Sequence, residues 1–341
     1  MFASVKRVKE VKTVYLLVGG SGFIGTNFAK FLIENDYDFK IYDKNKSKFL
    51  PKCVNIVVGD IRDKKRLSKA MKGCDVVFHL ATMPPSVRLS QYEIHDIDVN
   101  GTQNVLETAQ ENKVKKVIFT SSASHVYGLV EKRLCPIREE CPLHPINEYG
   151  ESKVLAEVLC KQTSETTSLQ TIILRLSMSL GPYNFDPILV ENLVSLFKNK
   201  RIVLPGDGTS KNQSIHVKDV SMVLLACAEL SDILLSNQGI FNISGKEVLT
   251  MDEWIALVKH LSGSSSKVMH LPLFMAKGMV RMAWWLRRTN VHPSYLSLIA
   301  QDQYFDIGKA KHVLGWEPKY TVTEALEETI AFLKERHIWL K

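Results

Sequence analysis

Residues 14–25 read VYLLVGGSGFIG, an apolar run that passes directly into a glycine-rich turn. Five apolar residues suit a buried strand, and the pattern behind the turn predicts a helix that ends near Asn35. The turn carries Gly19, Gly22 and Gly25, spaced G-x-x-G-x-x-G, where a tight turn and a close backbone approach leave no room for side chains. A helix that begins behind such a turn directs its free N–H groups at a pyrophosphate. This stretch therefore predicts a dinucleotide phosphate site at the first strand-helix junction.

An acidic residue follows at the distance expected for ribose binding. Asp43 ends the second apolar run, about 20 residues beyond the turn, the spacing of the dinucleotide fingerprint. A carboxylate there accepts hydrogen bonds from the ribose hydroxyls of NAD and repels the 2′-phosphate of NADP. We predict NAD, while Lys44 and Lys46, which could face a 2′-phosphate, keep NADP as the alternative. Asp60 and Ile61, after the third strand, are predicted to meet the adenine, with a plain turn as the alternative.

The rest of the first half repeats the same strand-helix unit. Repeated β-α units predict an α/β fold with a doubly wound parallel sheet and right-handed crossovers. After residue 181 the rhythm changes, which predicts a smaller lobe over the carboxyl edge of the sheet. The predicted strands span 13–18, 39–42, 54–58, 76–79, 116–121, 171–176 and 239–243, and the predicted helices span 23–35, 64–71, 98–111, 148–162, 187–198, 218–230, 250–261, 277–288 and 321–336, with Thr250 as an N-cap.

Composition excludes several classes of protein. The chain has 341 residues, 45% of them hydrophobic, and a net charge of +8, which describes a globular protein and not a disordered one. No apolar run approaches the ~18 residues of a membrane span. The six cysteines form no C-x-x-C, so we predict free thiols, no metal site and a cytoplasmic location. The basic runs lack any nucleic-acid motif, so no nucleic-acid partner is expected.

A tyrosine and a lysine four residues apart predict the catalytic chemistry. Tyr149 and Lys153 fall within the predicted helix 148–162 and lie on one face, one turn apart. A neighbouring ammonium stabilises a phenolate, so Lys153 is predicted to lower the pKa of Tyr149 and let it accept a proton from an alcohol. Ser122 ends the fifth strand, at the sheet edge where the nicotinamide would lie, and can hold the same substrate oxygen.

These features, with others in the same order along the chain, resemble the extended short-chain dehydrogenase/reductase superfamily, of the NAD-dependent epimerase/dehydratase type. The resemblance covers nearly the whole chain. Its motifs are GGSGFIG at 19–25, GDIRD at 59–63, HLA at 79–81, SSASHVYG at 121–128, YGESK at 149–153, LGP at 180–182, IHVKDV at 215–220 and KAKHVLGWEP at 309–318.

The resemblance implies a Rossmann-type dinucleotide domain over 1–180 and a C-terminal α/β substrate lobe over 181–341, with some chain exchange between them. It implies a small-molecule substrate and a homodimer built from helices 98–111 and 148–162. The implied catalytic residues are Ser122, Tyr149 and Lys153, and the implied cofactor contacts are Gly19, Gly22, Phe23, Ile24, Gly25, Asp43, Asp60, Ile61, Leu80, Ala81, Tyr149 and Lys153.

The family pattern admits two ways of counting to the catalytic serine. Counting forward from Phe119 selects Ser122, whereas counting back from Val126 selects Ala123, which cannot do the chemistry. Ser122 is therefore our prediction, with Ser124 as the alternative.

The substrate side departs from the pattern. Sugar-nucleotide epimerases of the family carry an Asn at the position of Met178, an Arg at the position of Asn212 and an Asn at the position of Asp98. An amide cannot replace the bidentate contacts of a guanidinium, so an ordinary UDP-sugar is in doubt. Ser124 and His125 fill the place of the dehydratases' Asp-Glu pair, which disfavours elimination. His125 is predicted either to pack beside the cofactor or to act as an acid. The predicted substrate contacts are Ser124, His125, Met178 and Asn212.

The segment 270–306 is similar to the 3β-hydroxysteroid dehydrogenase and sterol-reductase branch. Its Met- and Trp-rich helix can form the core of the lobe, line an apolar pocket, or lie on a membrane as a peripheral contact, with Arg281, Arg287 and Arg288 reaching outward. The leading functional hypothesis is an NAD-dependent oxidoreductase or isomerase acting at a secondary alcohol, of the sugar or nucleotide-sugar epimerase type. The alternatives are a steroid dehydrogenase-like or ketone-reductase activity on an apolar substrate, and a non-catalytic dinucleotide-sensing module.

Overall fold

A computed structural model describes residues 13–83, 86–197, 201–230, 239–289 and 291–337. Seven strands form a parallel sheet in the order β10-β6-β5-β4-β1-β2-β3. Strands β11, β9 and β7 form a second sheet, and β12 pairs with β8. The strands are β1 Val14–Val18, β2 Asp38–Asp43, β3 Ile56–Val58, β4 Val76–His79, β5 Lys116–Ser122, β6 Gln170–Leu176, β7 Met178–Leu180, β8 Ile202–Pro205, β9 Lys211–His216, β10 Ile240–Ile243, β11 Val248–Thr250 and β12 Val268–Leu271.

Helices cover both faces of the large sheet. Side chains alternate across a strand, so Tyr15 and Leu17 of β1 enter one core while Leu16 and Val18 enter the other. Helices α1 and α8 pack on the first face, and α2, α4 and α6 on the second. The helices are α1 Phe23–Glu34, α2 Lys64–Met71, α3 Gln91–His95, α4 Gly101–Glu111, α5 Ala123–Tyr127, α6 Glu148–Thr166, α7 Pro187–Phe197, α8 Val217–Glu229, α9 Met251–Ser262, α10 Leu273–Trp285, α11 Ser294–Ile299, α12 Gly308–Leu314 and α13 Val322–Glu335.

The predicted doubly wound sheet is confirmed, and most of its elements lie within a few residues of the predicted bounds. Thr250 caps α9 as predicted, in a reciprocal capping box with Glu253. Strand β10 comes from the second half of the chain and pairs with β6 at the sheet edge. The division near residue 180 stays a prediction.

Two predicted helices differ from the observed ones. Helix α10 begins at Leu273, directly behind Pro272, and ends before Arg287, whose φ of 55° is left-handed. The basic residues that were expected inside it therefore lie partly beyond its end. The helix predicted from Asp98 begins instead as a π-helical turn, Asp96–Asn100, and becomes regular only at Gly101. Lys198, the predicted end of α7, lies outside the described residues.

The short strands of the second half were not predicted, and their pairing explains why. Strands β7, β8, β9, β11 and β12 make two small sheets that pair mostly across long sequence separations. Helices α7, α9 and α13 share a hydrophobic core with residues of β7, β8 and β11.

Candidate active site

The glycine turn after β1 fits a pyrophosphate. Gly19 has a φ of +85°, and a Cβ added there would lie 2.5 Å from the backbone nitrogen of Ala81. A Cβ on Gly25 would lie 2.5 Å from the Cα of Gly20, so neither position accepts a side chain. Gly22 caps α1 without a side-chain hydrogen bond, and the Ser21 hydroxyl is buried without a partner among the described residues. Unpaired donors at a helix N-terminus are what a phosphate requires.

Asp43 lies at the end of β2 and faces the glycine turn. Its carboxylate accepts hydrogen bonds from the backbone nitrogens of Ser21 and Asn45, each at 2.9 Å. Burial raises the pKa of Asp43, and these hydrogen bonds oppose the shift. Each carboxylate oxygen keeps a second lone pair, so the group can still accept from ribose hydroxyls. The Lys44 ammonium lies 3.9 Å from Asp60, on an exposed side chain.

Asp60 and Ile61 follow β3. Arg62 forms a 2.7 Å ion pair with Asp60 and also pairs with Asp96 at 3.1 Å. The hydrogen bonds from Arg62 lower the pKa of Asp60 to about 2. Ile61 is buried. This ion pair fixes the loop on which the predicted adenine contacts lie.

Tyr149 and Lys153 lie one turn apart at the start of α6, as predicted. Asn147 caps this helix by accepting a 2.8 Å hydrogen bond from the nitrogen of Gly150. The ammonium of Lys153 donates to the carbonyl oxygen of Thr120, 3.1 Å away, and lies 5.7 Å from the Tyr149 ring centre. The helix therefore brings both side chains to the end of β5.

The predicted effect of Lys153 on the pKa of Tyr149 is wrong for this structure. Burial raises the pKa of Tyr149 above its ordinary value, and the charge of Asp98 raises it further. Burial also lowers the pKa of Lys153, although Asp98 opposes this shift. Burial costs the phenolate its hydration, and the ammonium is directed at a carbonyl on β5 and not at the phenol.

Asp98 is the third titratable group at this end of β5, after Tyr149 and Lys153, and the sequence identified it only as a departure from the family pattern. Its buried carboxylate accepts hydrogen bonds from the hydroxyls of Thr82 and Ser152, at 2.9 and 3.1 Å, and from the nitrogen of Met83 at 3.3 Å. Burial raises the pKa of Asp98, and Lys153 opposes the shift. A carboxylate and an ammonium are thus buried beside one phenol.

Ser122 and His125 connect β5 to this group. The Ser122 hydroxyl lies 2.9 Å from Nδ1 of His125, whose ring packs edge-on against Tyr149 with 5.0 Å between ring centres. Burial, followed by the charge of Lys153, lowers the pKa of His125 to about 4. The imidazole is therefore neutral near pH 7, which favours packing over an acid role. The choice of Ser122 over Ser124 stays a prediction.

A buried ion pair holds the strand ends beneath the site. Glu157 of α6 lies 2.7 Å from Arg175 of β6 and accepts a 2.6 Å hydrogen bond from Ser121 of β5. Arg175 also donates to the Tyr127 hydroxyl, which donates to Asn242 of β10. The network ties α6 to three neighbouring strands, so it fixes the helix that carries Tyr149.

A cleft opens in front of Tyr149. Its empty volume is about 490 Å³, and this volume includes the open solvent at its mouth. Arg88 stacks on Trp284 of α10, 3.9 Å from the ring centre, and donates a 2.9 Å hydrogen bond to its carbonyl oxygen. Tyr295 contacts His125 with 5.3 Å between ring centres. The lining residues are Met83, Val87, Arg88, Leu89, Ile94, Asn147, Glu148, Tyr149, Trp284, His292 and Tyr295.

Most of this lining was missed by sequence reasoning. Arg88 follows the carboxyl end of β4, and its place after a central strand is a usable signal. Tyr295 lies in the C-terminal lobe and has no such signal. None of the four predicted substrate contacts, Ser124, His125, Met178 and Asn212, is among the cleft-lining residues. Met178 and Asn212 lie instead on adjacent strands, β7 and β9. Their role stays a prediction.

Three further findings concern the described residues. They contain no group of three His, Cys, Asp or Glu side chains arranged to hold a metal ion. No helix among them is both long and apolar enough to cross a membrane. All six cysteines are free thiols.

The sequence matches the model of the NAD-dependent epimerase/dehydratase family over residues 15–244. A putative UDP-glucose 4-epimerase of Methanocaldococcus jannaschii is 30% identical, over 94% of this chain and 99% of that protein. An N-acetyl-α-D-glucosaminyl-diphospho-ditrans,octacis-undecaprenol 4-epimerase of Escherichia coli O157:H7 is 29% identical, over 93% and 94%. A mouse sterol-4-α-carboxylate 3-dehydrogenase is 28% identical, over 92% and 89%.

Solved structures show the same fold. The UDP-glucose 4-epimerase of Thermotoga maritima with UDP-glucose has a TM-score of 0.79, with 24% identity over 95% of this chain and all of that one. The UDP-glucuronic acid 4-epimerase of Bacillus cereus in complex with NAD has a TM-score of 0.78, with 22% identity over the same shares.

Proposed function

The chain belongs to the NAD-dependent epimerase/dehydratase family, and from this we propose that it inverts a secondary alcohol of a sugar or nucleotide sugar. The observation that carries the proposal is that Lys153 and Asp98 are buried next to the half-buried Tyr149 at the end of β5, and that Tyr149 lines an open cleft. When bound, NAD supplies an acceptor for the hydride of the carbinol carbon and can return it. If the keto intermediate rotates in the cleft and presents its other face before the hydride returns, the alcohol is inverted.

The residues of the chain divide the remaining work. Tyr149 takes the hydroxyl proton, Ser122 orients the substrate oxygen, and Lys153 would hold the nicotinamide ribose of the cofactor. The pyrophosphate would be held by the glycine turn, at Gly19, Gly22, Phe23, Ile24 and Gly25. Asp43 would bind the ribose, and Asp60 and Ile61 the adenine. Leu80 and Ala81 would also contact the cofactor, and Tyr149 and Lys153 would lie at its reactive end. His125 holds Ser122 and packs on Tyr149, so its proposed role is positioning.

The names of relatives support a sugar substrate on a diphosphate carrier. The archaeal relative is named a UDP-glucose epimerase and the Escherichia coli relative an epimerase of a sugar on diphospho-undecaprenol. Both names describe inversion at a sugar carbon. The carrier is the part on which they differ.

Cofactor accounting tests this proposal. We expect the purified protein to hold NAD, and we expect incubation with its sugar substrate to give the epimer with no net NADH. NMR of the sugar products and absorbance at 340 nm measure the two quantities. Release of NADH equal to product would exclude a self-contained epimerase.

A second candidate is oxidation of an apolar alcohol or reduction of an apolar ketone. It is favoured by the cleft walls, which include Met83, Val87, Leu89, Ile94 and Trp284. The mouse relative is named a sterol dehydrogenase. The same assay separates the candidates, since net oxidation of an apolar alcohol yields one NADH per product.

The charge of Asp98 should set the pH dependence of the reaction. Oxidation needs the deprotonated phenol, so the rate rises with pH through the pKa of Tyr149, which burial and Asp98 raise. Asp98→Asn removes a negative charge that faces Tyr149 and Lys153, so we expect the rising limb of the pH-rate profile to move to lower pH. Ser152→Ala leaves the carboxylate charge in place and serves as the control. A limb that stays in place or moves to higher pH would contradict this role.

Assembly and location are also proposals. Leu155 and Val158 lie on α6 and are exposed, which supports a homodimer through α4 and α6. The free thiols support a reducing compartment, the cytoplasm.

A further inference from the structure

Helix α10 exposes the largest concentration of apolar side chains in the described residues. Trp285 is 79% exposed and Phe274 76%. Successive residues of an α-helix are rotated by about 100° around the helix axis. At this spacing the exposed apolar side chains lie on one continuous face. We call these six residues the α10 face: Phe274, Met275, Met279, Met282, Trp285 and Leu286.

The opposite side of the same helix packs on the protein. Ala276 is buried, and Trp284 lines the cleft, where Arg88 stacks on it. The helix is therefore held in place by one side while the α10 face points outward. A helix that is apolar on both sides is unusual at a protein surface, where the outer face is normally polar.

The charged residues in the segment that carries the α10 face have one sign. No Asp or Glu occurs between Glu253 and Asp302. Basic residues stand in and directly behind the helix, where long side chains can extend past an apolar layer into a polar one. They are Lys277, Arg281, Arg287 and Arg288.

We propose that the α10 face binds the surface of an anionic lipid bilayer and that the cleft opens at that surface. An interfacial helix inserts apolar side chains at the acyl boundary and keeps basic residues at the headgroups. Tryptophan suits this layer because its ring is apolar and its N–H is polar. A second copy of the chain fits less well, since a symmetric contact would bring the four basic residues against each other.

The proposed membrane contact also bears on which carrier holds the substrate. Only this part of the inference rests on the proposed sugar chemistry. Trp284 lines the cleft and Trp285 lies on the exposed face, so one helix carries both a wall of the cleft and the proposed membrane surface. A sugar diphosphate on a lipid carrier could then reach Tyr149 while its chain stays in the bilayer, with Arg88 in the cleft wall as a cation for the phosphates. The lipid would replace the nucleoside.

Vesicle sedimentation tests the bilayer proposal without any enzymatic assay. We expect the full chain to sediment with vesicles of phosphatidylcholine and phosphatidylglycerol, weakly with phosphatidylcholine alone, and less as salt is raised. Phe274→Ser, Met279→Ser and Trp285→Ser combined should lower the bound fraction at least tenfold. Arg281→Glu with Arg288→Glu should abolish the preference for anionic vesicles.

A matched control uses exposed apolar residues on other elements. Ile33→Ser, Leu129→Ser and Val248→Ser combined change the same number of exposed side chains and should leave vesicle binding unchanged. Circular dichroism and retained NAD show that each variant folds. The proposal is overturned if the unaltered chain ignores anionic vesicles, or if the α10 variant binds them equally well.

Sedimentation velocity excludes the competing occupant. If the three serine substitutions in α10 convert a dimer to a monomer, the face is a contact between copies and the bilayer proposal is wrong. If they leave the oligomeric state unchanged while vesicle binding falls, the proposal is supported. Failure of the epimerase proposal would appear only in the cofactor accounting, so the two failures are distinguishable.

Discussion

Replacing Tyr149 with phenylalanine is expected to lower turnover by about 10²–10⁴-fold, the range measured for loss of a general acid or base. The substitution removes one hydroxyl from a half-buried ring and leaves the packing against His125 in place. The cofactor and the substrate should still bind, so the loss falls on kcat. Steady-state kinetics together with the NAD content of the variant measure the effect.

Tyr15→Phe is the matched control for this substitution. Tyr15 is buried in the sheet core, where its ring packs on Phe78, far along β1 from the carboxyl edge. We expect it to change turnover by less than about twofold, because Tyr15 contacts none of the groups that transfer the proton. If Tyr149→Phe kept full turnover, this phenol would not be the group that takes the proton.

Replacing Gly19 with alanine is expected to remove cofactor binding and to destabilise the fold. The new Cβ would lie 2.5 Å from the backbone nitrogen of Ala81, and backbone cannot move as a flexible side chain can. The φ of +85° adds strain of about 1–3 kcal/mol for a residue with a Cβ. A shift of the turn by about 1 Å is enough to cost ~100-fold in activity. Bound NAD after gel filtration and the melting temperature measure both effects.

Gly73→Ala separates backbone strain from steric collision. Gly73 also has a positive φ, of +72°, but a Cβ there would meet nothing within 4 Å. We expect a comparable strain of about 1–3 kcal/mol and no loss of NAD. If the Gly19 variant retained NAD as the Gly73 variant does, the glycine turn would not be the pyrophosphate site.

The large sheet could be predicted because its signals are local. Each strand of the first half is a short apolar run that ends in a turn or a polar residue, and each helix has its own period. Strand β10 was predicted as a strand, but its pairing with β6 depends on residues more than sixty positions away. The small strands of the lobe, such as β8, lack a period and acquire their structure from their partners.

The candidate site was predicted in its motifs and not in its electrostatics. Spacing alone places Tyr149 and Lys153 one helical turn apart, because a helix has a fixed period. The pKa values depend on burial and on which atoms face each other, and spacing gives neither. Asp98 lies in the π-helical turn that precedes α4, and this turn brings it to the site. Tyr295 lies on α11, far along the chain from Tyr149, so no local pattern predicts that it lines the cleft.

The crossing of β10 into the large sheet has a consequence for synthesis. Ribosomes deliver the chain in order, so β6 is complete at residue 176 while its outer neighbour starts only at residue 240. At bacterial to eukaryotic elongation rates the interval lasts roughly 3 to 13 seconds. During it, β6 presents unpaired N–H and C=O groups to which a strand of another nascent chain can pair. Molecular chaperones that shield an open β edge would therefore act on this protein midway through translation.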